Sequence, residues 1–203
     1  MNRSAAVAGA VAASVAGLAV VSMLRTSANG NRITEESIVM LGDSITAEAE
    51  WHRLLPDEPL VNEGHPGFTT AQLVAVAERV AAADPAMVVV LTGTNDIRDG
   101  HPPAWTRRHL EQLIDRIESG SNATIVVQTV LPRADRSAAV QEVNVEIRDL
   151  AAARGLRLLD LYGAFDDGTD SLRDRETYDG LHLTVAGYER WADELAPVLE
   201  SLD

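Results

Sequence analysis

Short apolar runs alternate with amphipathic stretches along most of this chain, and the two patterns predict different elements. Residues 37–41 (SIVML) form an apolar run that ends at Gly42, as a buried strand does. Leu60 and Val61 make a second, shorter run. Residues 87–91 (MVVVL) are strongly β-branched and lead into Thr-Gly-Thr-Asn-Asp, while 124–130 and 156–161 complete a set of five strands. Between them, apolar residues recur at helical spacing over 69–83, 104–117, 137–153 and 184–202, with Thr184 a predicted N-cap. The first of these stretches stops before Asp84-Pro85, a helix-breaking pair. Strands that are apolar throughout are covered on both faces. Their alternation with helices predicts one three-layer α/β/α sandwich around a parallel sheet of roughly five strands, with right-handed crossovers. Ligands in such sheets bind at the carboxyl ends of the strands.

The N-terminal part follows neither pattern. Residues 5–24 carry no charge, consist mostly of Ala, Val, Gly and Leu, and lie between Arg3 and Arg25. A basic start before an apolar stretch of roughly 20 residues is expected to be a secretory signal or a membrane anchor, which implies an exported or envelope-associated protein. Residues 1–30 are therefore read as signal or anchor plus linker, and 31–203 as the folded domain. Composition sharpens this. An apolar fraction of 46% with 24% charged residues is that of a globular domain. The formal net charge of -14 repels a phosphate backbone, so nucleic acid is not an expected partner. The absence of cysteine excludes disulfides, thiolate metal sites and a cysteine nucleophile.

Four polar clusters follow apolar runs or stand in loops that reach the same sheet edge: Gly42-Asp43-Ser44-Ile45-Thr46, Asn62-Glu63-Gly64-His65-Pro66-Gly67, Gly93-Thr94-Asn95-Asp96 and Asp179-Gly180-Leu181-His182-Leu183. A hydroxyl becomes a useful nucleophile at neutral pH when a base takes its proton, and imidazole suits that role. A carboxylate on the other ring nitrogen holds the tautomer. Asp179 and His182 are three residues apart, so one turn can carry both and aim them at Ser44. Attack on an ester leaves an oxyanion that needs fixed donors. The peptide N–H of Ser44, the peptide N–H at Gly64 and the side-chain amide of Asn95 are the candidates. Taken singly, each cluster also reads as ordinary cap or turn chemistry; the four together, in this order, do not.

These four segments resemble the sequence blocks of the SGNH hydrolases, also called GDSL-type esterases and lipases. They resemble most closely the branch containing the platelet-activating-factor acetylhydrolase catalytic subunits and bacterial carbohydrate O-acetylesterases. The resemblance implies a flavodoxin-like SGNH fold and a serine esterase with Ser44 as nucleophile, Asp179 as orienter and His182 as base. It implies Ser44, Gly64 and Asn95 as oxyanion donors, with no cofactor and no metal. Trp51, Leu131-Pro132-Arg133, Asn144 and Gly187-Tyr188 extend the likeness, which covers residues from about Ile38 onward. The second block departs from the family pattern, which often has Arg before the glycine and an aliphatic-Ser-Gly after it. Glu63 and His65 are expected to change the pocket wall there and hence the substrate preference, while the Gly64 donor is expected to remain.

Rival assignments are weaker. His65, in the glycine loop, is the main competitor as base among five histidines, none of which forms a metal-ligand spacing with another. Asp166, Asp167 and Asp170 resemble a calcium loop only loosely. No second glycine completes a Gly-x-Ser-x-Gly elbow around Ser44. The substrate is expected to be a small-molecule, glycan or lipid ester with a short acyl group. An acyltransferase would use the same triad, and a non-catalytic binding domain for acylated glycans is the third reading.

Overall fold

The computed structural model describes residue 30 and residues 32–200. The apolar run at 5–24 lies outside the described residues, and among those described no helix is long and apolar enough to cross a membrane. In chain order the elements are β1 (Ile38–Gly42), α1 (Ser44–Ala47), α2 (Trp51–Leu54), β2 (Leu60–Gly64), α3 (Thr70–Ala81), β3 (Met87–Leu91), α4 (Thr94–Arg98), α5 (Pro103–Gly120), β4 (Thr124–Gln128), α6 (Ser137–Arg154), β5 (Arg157–Leu159), α7 (Leu161–Phe165) and α8 (Val185–Glu200). The five strands form one parallel sheet in the order β2-β1-β3-β4-β5.

The period of two along each strand sorts its residues between two cores. Val39, Leu41, Val88, Val90, Ile125 and Val127 pack with Leu73 and Val80 of α3, Leu113 and Ile117 of α5, and Val143 and Ile147 of α6. Ile38, Met40, Met87, Val89 and Val126 point the other way, against Trp51, Phe165, Trp191 and Leu195. Both faces of the sheet are thus shielded from water, which is why the strands read as unbroken apolar runs. The helices start and stop where local chemistry dictates. Thr69 and Gln72 form a capping box ahead of α3, Pro103 occupies the first turn of α5, and Gly155 ends α6 in the left-handed region. At α8, Thr184 Oγ1 accepts the Gly187 N–H at 3.3 Å, the N-cap contact expected of it.

Strand order decides where a site can form. β1 lies between β2 and β3, so the connections leaving β1 and β3 diverge to opposite faces. Such a switch point opens a crevice at the carboxyl edge. Ser44 follows β1 and Asn95 follows β3, so they flank it.

Trp191 anchors the second core. It is fully buried, meets Trp51 edge-on with ring centroids 4.9 Å apart, and donates from Nε1 to Gln128 Oε1 at 2.8 Å. Trp191→Ala is expected to destabilise the fold by about 3–5 kcal/mol. Urea denaturation checks this as a lower midpoint with an unchanged m-value.

Candidate active site

β1 passes into α1 through a single residue. Asp43 caps the helix by accepting the Ile45 N–H on Oδ1 at 2.9 Å, which leaves Ser44 as the first helical residue at the sheet edge. Four residues of helix are held this close to the strands because neither β1 nor β2 has a side chain in the way. A Cβ on Gly42 would strike Thr46 and the Leu91 carbonyl, and one on Gly64 would strike the backbone of Ala47. Asn62 completes the joint by donating to the carbonyls of Ala47 at 3.2 Å and Ala49 at 3.1 Å. From α8, the buried Tyr188 hydroxyl donates to the Ile45 carbonyl at 2.8 Å.

On this platform Ser44, His182 and Asp179 form one hydrogen-bonded series. Ser44 Oγ lies 3.0 Å from His182 Nε2, and His182 Nδ1 lies 2.7 Å from Asp179 Oδ2. The Asp179–His182 pair is a product of local chain geometry. Asp179 Oδ1 accepts the peptide N–H groups of Leu181 at 2.9 Å and His182 at 2.7 Å, while Thr177 Oγ1 donates to the His182 carbonyl at 2.7 Å. Burial works to raise the Asp179 carboxyl. The hydrogen bonds from His182 and Leu181 outweigh it and hold the group below its ordinary value, so it stays ionised at neutral pH. An ionised carboxylate there favours a protonated Nδ1, which leaves Nε2 to accept the Ser44 proton.

The third cluster meets the second. Asn95 is 5% exposed, donates from Nδ2 to the Phe68 carbonyl at 2.9 Å, and accepts Arg98 Nη1 on Oδ1. The arginine fixes which way round the amide stands, since only the oxygen can accept from a guanidinium. One Asn95 N–H remains for a ligand. Asp96 is fully buried and takes both the Thr70 N–H, at 2.9 Å, and the Thr70 hydroxyl, which ties this loop to the start of α3.

Two sequence expectations change here. The Gly64 N–H donates to Asn62 Oδ1 at 2.9 Å inside the joint under α1, so Gly64 serves close packing and not donation into the crevice. The loop's other glycine, Gly67, is exposed, with φ +79, and its N–H has no partner among the described residues. Its carbonyl faces Arg98 Nη2 at 3.4 Å, beside Asn95. Glu63 is likewise not part of a pocket wall. Its carboxylate is fully buried and takes Arg79 through both oxygens, at 3.0 and 2.6 Å, with His65 Nε2 at 3.1 Å. His65 is thereby turned to Glu63 and stacked on Phe68; the imidazole at Ser44 is that of His182.

The flanking residues brace the edge. Asn144 clamps the Val130 peptide from both sides, at 2.7 and 2.9 Å, and Arg133 reaches Thr94 Oγ1 at 3.2 Å. Glu48 and Tyr178 were missed from sequence. Tyr178 stacks on His182 with 12° between ring planes and donates to Glu48 Oε2 at 3.1 Å, and Glu48 Oε1 stands 4.0 Å from His182 Nε2. The signal for Glu48 was its four-residue spacing from Ser44, which places the two on one side of a helical turn. Among the described residues no cluster of metal-ligating side chains forms.

Comparison with known proteins agrees with this fold. The sequence profile of the GDSL-like lipase/acylhydrolase family matches residues 40–190, well over half of the chain. The platelet-activating factor acetylhydrolase IB subunit alpha2 of Rattus norvegicus is 24% identical over 180 residues, covering 83% of this chain and 78% of the relative. A GDSL-like lipase from Bacteroides thetaiotaomicron superposes with a TM-score of 0.72 at 24% identity, over 82% of this chain and 89% of that one. The lipase/acylhydrolase from Enterococcus faecalis superposes with a TM-score of 0.68 at 27% identity, over 82% and 96%.

Asp43 adds a pH-dependent term to stability. It is almost fully buried, its Oδ2 has no hydrogen-bond partner, and burial pushes its carboxyl up from 3.8 to about 7. The folded state therefore binds this proton more tightly than the unfolded chain does. The contribution is full below the ordinary carboxylate range and is lost as pH rises through about 4 to 7. Asp43→Asn keeps the Oδ1 acceptor and removes the ionisation, so its melting temperature relative to the parent should climb between pH 5 and pH 8. A constant difference across that range would contradict the assignment.

Proposed function

This chain belongs to the GDSL-like lipase/acylhydrolase family and is a carboxylic ester hydrolase, and from that premise we propose that it acts through an acyl-serine intermediate on short-chain esters. The observation that carries this reading is the Asp179–His182–Ser44 series, with its separations of 2.7 and 3.0 Å. Ser44 Oγ attacks the ester carbonyl carbon as His182 Nε2 takes its proton. The carbonyl oxygen becomes an oxyanion held by the Ser44 N–H, the free N–H of Asn95 and, in the place expected of Gly64, the Gly67 N–H. His182 then gives its proton to the alkoxy oxygen as that C–O bond breaks. Water repeats the sequence on the acyl-serine, releasing the acid and returning the proton to Ser44. Asp179 stays ionised throughout and stabilises the imidazolium.

A preference for short acyl groups is supported by the brief connections after β1 and β3. β1 and α1 are separated only by Asp43, so little chain is present there to form a lid. We further propose that residues 31–203 make up the hydrolase domain and that residues 1–30 direct export or anchor the protein to the cell envelope.

Hydrolysis of p-nitrophenyl esters from acetyl to long acyl chains tests the reading. Ser44→Ala should lower kcat by several orders of magnitude with an unchanged thermal melt, and the acetyl ester should be the best substrate. Undiminished turnover in that variant would sink the acyl-serine mechanism. Asn95→Ala should cost about 10²–10³ in kcat with little change in KM, because the oxyanion exists only in the transition state.

A further inference from the structure

Resting on the acyl-serine reading, we propose that Glu48 holds the water that releases the acyl group from Ser44, and so biases the acyl-enzyme toward water over alcohols as acceptor. His182 Nε2, the nitrogen that must activate this water, lies 3.0 Å from Ser44 Oγ and 4.0 Å from Glu48 Oε1. The longer distance exceeds that of a direct hydrogen bond. Two acceptors that share one water, each about 2.8 Å from it, stand roughly 4–4.5 Å apart. The Nε2–Oε1 separation matches that spacing. Glu48 is also fixed at both ends. Its N–H donates to the Ser44 carbonyl at 3.0 Å, closing the turn that puts both side chains on one side of α1. Its other oxygen, Oε2, accepts the Tyr178 hydroxyl at 3.1 Å, and the Tyr178 ring stacks on His182 with centroids 5.8 Å apart. The tyrosine thus ties carboxylate to imidazole and leaves Oε1 on the side of Nε2. The Glu48 side chain is 42% exposed, so water reaches it.

Once Ser44 is acylated it has no hydrogen to give, and Nε2 is left as an acceptor. A water in this position donates one hydrogen to Nε2 and the other to Glu48 Oε1, which turns a lone pair toward the acyl carbonyl carbon. Its oxygen bonds to that carbon as Nε2 takes the first proton. The carbon–Oγ bond then breaks, Ser44 Oγ takes that proton back from Nε2, and the second hydrogen leaves on the acid formed. Glu48 neither gains nor loses a proton. An alcohol has a single O–H, which Nε2 must take, and it presents carbon to the carboxylate where water presents hydrogen. Glu48 therefore favours water at this step. It gives no such help when the acyl-serine forms, because the attacking O–H is then that of Ser44 itself.

Competition between water and methanol for the acyl-enzyme reads this step directly. With p-nitrophenyl acetate as donor and methanol at a fixed concentration, the initial ratio of methyl acetate to acetate is measured, with Ser44→Ala as the blank. Glu48→Met removes the acceptor at similar side-chain length and should raise the ratio about tenfold, the size expected from losing one hydrogen bond to a charged group. Glu48→Gln keeps an oxygen acceptor and should hold the ratio within about twofold of the parent. Tyr178→Phe frees the carboxylate without removing it and should raise the ratio by a smaller step than Glu48→Met. A Glu48 that only supports His182 would slow attack by water and by methanol alike. An unchanged ratio in Glu48→Met, whatever happens to turnover, would therefore overturn the proposal and leave the esterase intact. A ratio that falls would overturn it as well, because Glu48 would then be obstructing water. Release of p-nitrophenol that persists undiminished in Ser44→Ala would instead remove the acyl-serine reading, and this inference with it.

Discussion

The reactive edge depends on how closely α1 sits on the ends of β1 and β2. A helix of four residues has little stability of its own, because most of its turn lies within the costly nucleation step. It persists because its surroundings hold it. Asp43 caps its start, Asn62 takes its last carbonyls, Tyr188 holds the Ile45 carbonyl, and Gly42 and Gly64 remove the Cβ atoms that would push it away. Ser44 inherits its position from those contacts. A hydroxyl that must stay within about 3 Å of an imidazole and also face an ester needs such a support, since small misplacements are costly in rate.

The rest of the edge is braced by side chains in the same way. Each loop leaving a strand carries backbone groups that pair with no neighbouring strand, and a buried unpaired group costs about 1–3 kcal/mol. Asn144 satisfies both sides of the Val130 peptide, and Asp96 satisfies the Thr70 N–H and hydroxyl. Arg133 bridges from the loop after β4 to Thr94 after β3. Loops pinned at this density keep fixed donors in place before substrate arrives, which is what stabilisation of a developing oxyanion requires.

Charge is divided across the crevice. Arg98 stands with Asn95 on one side, while Glu48 and Asp179 flank His182 on the other. A positive group beside the amide polarises it as a donor. Tyr178, stacked on His182 and bonded to Glu48, links two of the acidic side's members from a position that is 61% exposed.

Much of this was legible before any coordinates. The run MVVVL coincides with β3 end to end, because a strand buried on both faces leaves an uninterrupted apolar signature. The long helices lie within a few residues of their predicted ranges, since amphipathic periodicity and caps are local properties. Pairing Asp179 with His182 needed only their spacing. The short helices α1, α2, α4 and α7 escaped, because four or five residues give no measurable period. The choice between Gly64 and Gly67 also lay beyond the sequence. Both glycines stand in one polar loop, and only the turn of the chain decides which N–H is buried under α1 and which is left open. Glu48 and Tyr178 are 130 residues apart, and the parallel sheet brings them together. Apolar pattern and spacing record what a residue buries and how its own backbone turns. The direction of a peptide N–H, and the company a side chain keeps across the sheet edge, are set only when the layers close.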